Sequence, residues 1–142
     1  MKKIRELLDA KGTEVWSIAP TDSVYDGLAL MAEKNIGALL VMDRDRLVGI
    51  LTERDYTRDV ALQGRTARDT QVDEIMTSRP VCVGPDQTLD ECMALMTDKR
   101  VRHLPVIEGD RVVGLISIGD AVKATISEQQ FIIKQLEQYI SG

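Results

Sequence analysis

Gly49-Ile50-Leu51-Thr52-Glu53-Arg54-Asp55 returns 65 residues later as Gly114-Leu115-Ile116-Ser117-Ile118-Gly119-Asp120; both run glycine, two apolar residues, hydroxyl, two variable positions, aspartate. Each stretch reads as a strand that hands over to a helix at the hydroxyl. Sliding the chain by the same offset, with no gap, sets Ile18-Ala19-Pro20 on Val83-Gly84-Pro85 and Ala29-Leu30-Met31 on Ala94-Leu95-Met96. It also sets Asp45-Arg46-Leu47-Val48-Gly49 on Asp110-Arg111-Val112-Val113-Gly114, and twelve of the 41 positions from 15 to 55 match their counterparts. Self-similarity at a fixed offset marks a duplicated structural unit.

Working outward, each copy has the same order of elements. A short strand, Val15 to Ile18 or Val81 to Val83, stops at a proline, which cannot donate to a ladder. Ser23 with Asp26, and Thr88 with Glu91, have the spacing of a capping box. Val24, Leu28, Met31 and Ala32 then share one helical face, as do Leu89, Cys92, Leu95 and Met96. A hairpin follows: Gly37 to Met42 and Arg46 to Leu51 around Asp43-Arg44-Asp45, or Arg102 to Ile107 and Arg111 to Ile116 around Glu108-Gly109-Asp110. A last helix begins at Thr52 or Ser117. The fold class is therefore α/β of the α+β kind, two strand-helix-strand-strand-helix repeats. One copy cannot bury its own apolar face, so the two are expected to pack sheet to sheet with pseudo-twofold symmetry.

The 142 residues fit one ordinary domain or two half-domains with a shared core. The expected division is 1–62 for an N-terminal helix plus repeat 1, 63–71 for a linker, and 72–142 for repeat 2 plus a C-terminal helix. Lys2 to Ala10 reads as the first helix, stopped by Lys11-Gly12. From Ser127 to Ile140, the residues Ile132, Ile133, Leu136, Tyr139 and Ile140 form a broad apolar stripe that must be covered, by the same chain or by a dimer seam.

Several function classes drop out on composition. The longest apolar run, Gly37 to Met42, is far below the roughly 20 residues of a membrane span, and Ile4-Arg5-Glu6-Leu7-Leu8-Asp9 is charged where a signal peptide needs an apolar stretch. A cytoplasmic protein with no membrane partner is expected. Cys82, Cys92 and a single histidine cannot supply a closed zinc site, so no metal is expected. A net charge of −5 repels nucleic acid at long range, and any anion must be held by a concentrated pocket. No nucleophile elbow, phosphate-loop motif or dinucleotide fingerprint is present, so no catalytic residue is assigned and the chain reads as a binder, not an enzyme.

At the repeated turn, the hydroxyl and the free amides of the first helical turn can hold a phosphate, and the aspartate can accept from a ribose diol. The same hydroxyl-x-x-carboxylate spacing is also a plain capping box, and both readings stand on spacing alone.

Residues 12 to 126 resemble a tandem pair of cystathionine-β-synthase (CBS) domains. The resemblance rests on Ile75-Met76-Thr77, Ile36-Gly37-Ala38-Leu39-Leu40-Val41, Arg102-His103-Leu104-Pro105-Val106 and the duplicated turn, in family order. It implies two clefts for adenosine-containing ligands, with AMP or ATP expected and NAD(H) as an alternative. Carried over by residue, one nucleotide-binding cleft holds Thr52, Arg54, Asp55 and Arg58 opposite Thr77, Val81, Cys82, Val101, Arg102 and His103. A second cleft holds Ser117 and Asp120 opposite Thr13, Trp16, Ser17, Ile36 and Gly37. The first is richer in cations and is the expected nucleotide site. Lys11-Gly12-Thr13 departs from the lead-in Met76-Thr77-Ser78-Arg79-Pro80 of the second repeat, which weakens the carry-over at the second cleft.

The resemblance implies a regulatory, signal-transducing module in which ligand shifts the orientation of the repeats and the change passes to a partner. A homodimer and an unidentified effector protein are the expected partners. The alternatives are an NAD(H)-responsive sensor and a ligand-free dimeric scaffold.

Overall fold

The computed structural model describes residues 2–141. Among the described residues are five α-helices, α1 (Ile4–Lys11), α2 (Val24–Lys34), α3 (Glu53–Tyr56), α4 (Leu89–Lys99) and α5 (Ile118–Ser141). Six strands accompany them: β1 (Ser17–Ile18), β2 (Ala38–Asp43), β3 (Arg46–Thr52), β4 (Thr77–Ser78), β5 (His103–Glu108) and β6 (Arg111–Ser117). The repeated strand-helix-strand-strand-helix order is present, with the first strand of each copy reduced. β1 keeps only two of the four expected residues, and the counterpart is a single bridge from Val83 to Val106.

Two compact units divide the chain. The first-repeat unit comprises Glu14–Val81 with the hairpin tip Gly109–Val112; the second-repeat unit comprises Met1–Thr13, Cys82–Glu108 and Val113–Gly142. This grouping departs from the sequential division 1–62 and 72–142, because α1 packs with the second repeat. Its apolar face explains the choice: Ile4, Leu7 and Leu8 are buried. The backbone agrees, since Ile4 N donates to Gln87 O at 2.9 Å, Arg5 N to Pro85 O at 2.8 Å and Leu89 N to Lys2 O at 2.8 Å. Arg5 also pairs with Glu108 at 2.6 Å and Asp86 at 3.3 Å. Gly12, at φ 99°, ends the helix in a backbone region that side chains disfavour.

In the first-repeat unit the sheet runs β1-β2-β3-β4. β1 is parallel to β2, and β2 and β3 form the hairpin with Ala38 opposite Thr52. β4 adds antiparallel to β3, Gly49 opposite Ser78 and Ile50 opposite Thr77. The core gathers Val24, Met31, Leu39, Val41, Leu51, Val60 and Val72, all under 3% exposed. Gly49 has a packing reason, since a Cβ there would lie 2.9 Å from the Thr77 carbonyl oxygen.

The expected linker 63–71 is an ordered part of this unit. Ser23 caps α2 by accepting from Asp26 N at 3.1 Å, and two further amides of its first turn find carbonyls in the segment. Val24 N donates to Thr70 O at 2.8 Å and Tyr25 N to Ala67 O at 3.1 Å, and Arg68 stacks 3.8 Å over the Tyr25 ring. These bonds satisfy orphan helix donors that water would otherwise serve.

In the second-repeat unit, β5 and β6 form the hairpin and α4 carries a complete capping box from Thr88 to Glu91. Leu89, Cys92, Met96, Leu104, Val106 and Ile116 are buried. Cys92 is a core thiol, its pKa pushed up to about 11 by burial. α5 is one helix of 24 residues: Ala121 and Ala124 are buried, and from Gln129 to Ser141 every residue is exposed. The chain therefore does not fold back to cover the terminal stripe. Among the described residues no helix is long and apolar enough to cross a membrane.

Candidate functional site

Both repeated turns are built the same way. At the end of β3, Thr52 Oγ1 accepts from Asp55 N at 3.1 Å while Thr52 N donates to the Asp55 carboxylate at 2.9 Å. At the end of β6, Ser117 Oγ accepts from Asp120 N at 3.1 Å and Ser117 N donates to the Asp120 carboxylate at 2.9 Å. Each is a reciprocal capping box that fixes the carboxylate beside the first helical turn.

The hairpins bring each turn to the start of its own β-hairpin. Glu53 N donates to Gly37 O at 3.2 Å, and Ile118 N donates to Arg102 O at 2.8 Å. Antiparallel register dictates this, because Ala38 opposite Thr52 places Gly37 next to Glu53. Within the units, then, Gly37 neighbours the Thr52 turn and Arg102 neighbours the Ser117 turn. The resemblance grouped them the other way round, and the residues of each expected cleft are divided between the two units.

The first-repeat unit holds Thr52, Arg54, Asp55, Arg58, Thr77 and Val81 together with Trp16, Ser17, Ile36 and Gly37. Trp16 packs against the core, with Lys34 Nζ 4.2 Å over its ring, and Ser17 pairs with Leu40 in the sheet. Thr77 is paired in β4. Arg54 and Arg58 are exposed and form no ion pair among the described residues. Past Asp55 the helix widens into a π turn over Thr57–Ala61, where Leu62 N reaches Thr57 O at 3.0 Å. Such turns are rare and concentrate at functional sites. Nothing in the residue pattern announced this one.

The second-repeat unit holds Thr13, Cys82, Val101, Arg102, His103, Ser117 and Asp120. Cys82 is exposed, and its thiol is pushed up by partial burial. The side chain missed by sequence reading is Lys11. Its ammonium donates to the Asp120 carboxylate and to Leu115 O, each at 2.5 Å. The signal was a lysine directly before the helix-ending glycine, legible only once α1 is known to lie on the second repeat.

Electrostatics separates the two aspartates. Burial raises Asp55, and the opposing hydrogen bonds from Thr52 do not offset it. Burial also pulls Asp120 upward, but the Lys11 and Ser117 hydrogen bonds overrule it and its carboxyl sits below the ordinary range. His103 is lowered first by burial and then by the Lys11 charge, with Asp120 pulling the other way. Asp55 is thus a half-buried carboxylate holding the Thr52 amide, whereas Asp120 holds the Ser117 amide and an ion pair to Lys11 as well.

The duplicated architecture and its twin turns have counterparts in known proteins. The model of the CBS domain family matches residues 5–61 and again 72–127. The chain belongs to the CBS-domain family. A CBS domain-containing protein of Arabidopsis thaliana, CBSX3, mitochondrial, is 40% identical over 138 residues, covering 94% of this chain and 66% of that one. A solved putative signal-transduction protein with CBS domains from Burkholderia ambifaria MC40-6 is 51% identical, with a TM-score of 0.87, covering 90% of this chain and 96% of that one. The CBS domain pair of protein MJ0100, solved in complex with 5-methylthioadenosine and S-adenosyl-L-methionine, shares the fold at 21% identity and a TM-score of 0.80, over 90% of this chain and 98% of that one. The family description and the names of the first two relatives are those of a CBS domain, a CBS domain-containing protein and a putative signal-transduction protein.

Proposed function

We propose that this CBS pair is a non-catalytic regulatory module that binds an adenine nucleotide, AMP, ADP or ATP, at the Thr52–Asp55 turn and passes the change to a partner protein. The observation that carries the reading is the difference between the two aspartates. Asp55 is partly desolvated and has no ion-pair partner among the described residues, the Arg54 charge acting on it only weakly from outside contact distance, while Asp120 is held by Lys11. A desolvated carboxylate with open lone pairs is costly by itself and gains most from a ligand that donates hydroxyl hydrogens, as a ribose diol does.

The phosphate falls to the start of α3, where Arg54 and Arg58 stand one turn apart with free guanidinium groups. Such charge-assisted bonds are the stronger class of hydrogen bond, and the phosphate falls to these side chains because the Glu53 and Asp55 amides are already given to Gly37 O and Thr52 Oγ1. Support from outside the chain is of fold only: a CBS pair of the same architecture holds adenosine ligands. Asp55 and its partners bind without exchanging protons, so turnover is not part of the proposal.

Calorimetric titration of the whole chain with AMP, ADP, ATP and NAD(H) tests it. Binding of an adenine mononucleotide is expected, with Asp55→Asn weakening it at least tenfold and Asp120→Asn changing it far less. Preference for NAD(H) would make the module a dinucleotide sensor, and no binding by any of the four would leave a ligand-free scaffold. Either result overturns the proposal.

A further inference from the structure

The two repeated turns are flanked by different pieces of chain. A Cβ at Gly49 would meet Met76 and Thr77, whereas a Cβ at Gly114 would meet Leu8, so α1 lies on the second hairpin where residues 76 and 77 lie on the first. Three residues beyond Met76 stands Arg79, and three beyond Leu8 stands Lys11. These two cations part company. Thr77 and Ser78 run on as β4 beside β3, and Arg79 forms no ion pair among the described residues. α1 stays helical through Lys11, whose ammonium donates to the Asp120 carboxylate and to Leu115 O.

We propose that Lys11 is a built-in plug: its ammonium fills the acceptor that a ribose diol would need at the Ser117–Asp120 turn, so that a nucleotide enters only the Thr52–Asp55 turn while α1 is docked. The inference rests on the nucleotide reading of the first turn and goes beyond it by assigning what closes the second.

The plug is in place before any ligand arrives. Ile4, Leu7 and Leu8 are buried, the amides of Ile4 and Arg5 are bonded to Gln87 O and Pro85 O, and Gly12 stops the helix directly after Lys11. A cation carried on so fixed a helix gives up little freedom when it pairs. A diol could enter only by displacing it. Asp120 already accepts from Ser117 N, and its bond to Lys11 is charge-assisted, the stronger class. Exchange would replace that bond with neutral hydroxyl bonds and leave the ammonium with Leu115 O alone. A bond of this class corresponds to roughly a tenfold to hundredfold change in affinity.

Apart from the plug, the second turn keeps most parts of the first. The reciprocal capping bonds measure 2.9 and 3.1 Å at both turns. Lys123 stands three residues past Asp120 as Arg58 stands three past Asp55, and both are exposed. The one cation missing is within the turn itself, where Gly119 takes the place of Arg54. Removing the Lys11 charge therefore leaves a half-buried carboxylate of the kind found at Asp55.

Equilibrium dialysis of the full chain against labelled AMP counts the sites. One AMP per chain is expected for the wild type and two for Lys11→Met, which keeps the stem and loses the charge. Lys11→Arg retains a cation and should stay at one. Asp55→Asn combined with Lys11→Met should take one, held at the second turn. Lys11→Gln repeats the neutral test should Lys11→Met lose the wild-type circular dichroism. A wild type that takes two, or neutral variants that stay at one, overturns the plug and leaves the nucleotide reading standing. A wild type that takes none while Lys11→Met takes one overturns the first-turn reading and keeps the plug. No uptake by either removes both.

Discussion

Lys11 Nζ lies 2.5 Å from the Asp120 carboxylate, while Asp55, the residue 65 positions earlier in the duplicated pattern, has no ion-pair partner among the described residues. Two turns of one design are thereby made unequal by a residue outside the repeat.

Lys11→Met should expose that inequality. Loss of the ammonium leaves Asp120 with only the Ser117 bonds and removes a charge that lowers His103. The His103 pKa should rise toward its ordinary 6.5, and because the chain has one histidine the imidazole proton resonances report it without ambiguity. An unmoved or lower value would mean that Lys11 does not occupy the turn in solution.

Stability should fall with pH in two stages. His103 is held below 6.5 in the folded chain, so on acidification the unfolded chain takes up that proton first, and stability declines from about pH 7 until folded His103 protonates as well. Asp120 is held below 3.8, so its contribution is complete above that value and is lost as pH drops through the folded pKa. Melting temperatures compared at about pH 7.5 and about pH 5.5 should differ more for the wild type than for His103→Gln. Equal differences would contradict the half-buried, cation-facing imidazole.

The two motif glycines should respond differently to alanine. At Gly49 the new Cβ meets the Thr77 carbonyl at 2.9 Å, backbone fixed in the β3–β4 ladder, and the cost should be about 1–3 kcal/mol. At Gly114 it meets the buried Leu8 side chain, nearest at Cδ2, a side chain rather than a ladder carbonyl, so repacking of Leu8 should absorb part of the clash and the loss should be smaller. Urea denaturation of the two variants ranks them, and a larger loss at Gly114 would be inconsistent with the packing described.

Phosphate and ribose contacts are separable by ligand choice. Arg54→Ala should weaken AMP binding roughly tenfold to a hundredfold, the range of a charge-assisted bond. Asp55→Ala should weaken AMP binding but spare a 2′,3′-dideoxy analogue, which has no diol to donate. Equal losses for both ligands would remove the ribose role from Asp55.

Local chemistry was legible in the sequence, and distant pairing was not. The capping boxes at Thr52, Thr88 and Ser117 depend on residues three apart, and all three form. Hairpin ends moved by a residue at most. By contrast, Thr77 and Ser78 become β4 only because β3 offers them an edge, and two residues carry no period of their own. The grouping of α1 with the second repeat, and with it the role of Lys11, depends on Gln87, Pro85 and Leu115, some 80 to 104 positions away. The segment 63–71 looked like a polar linker because its work, accepting from the amides of Val24 and Tyr25, is done by backbone carbonyls that no side-chain pattern displays.

Native mass spectrometry of the whole chain, titrated with AMP, tests the central claim most directly, because it counts ligands per chain. One AMP per chain is predicted for the wild type, none at the same concentration for Asp55→Asn, and one still for Asp120→Asn. A nucleotide that stays on Asp55→Asn and leaves Asp120→Asn would place the site at the Lys11-held turn and contradict the account.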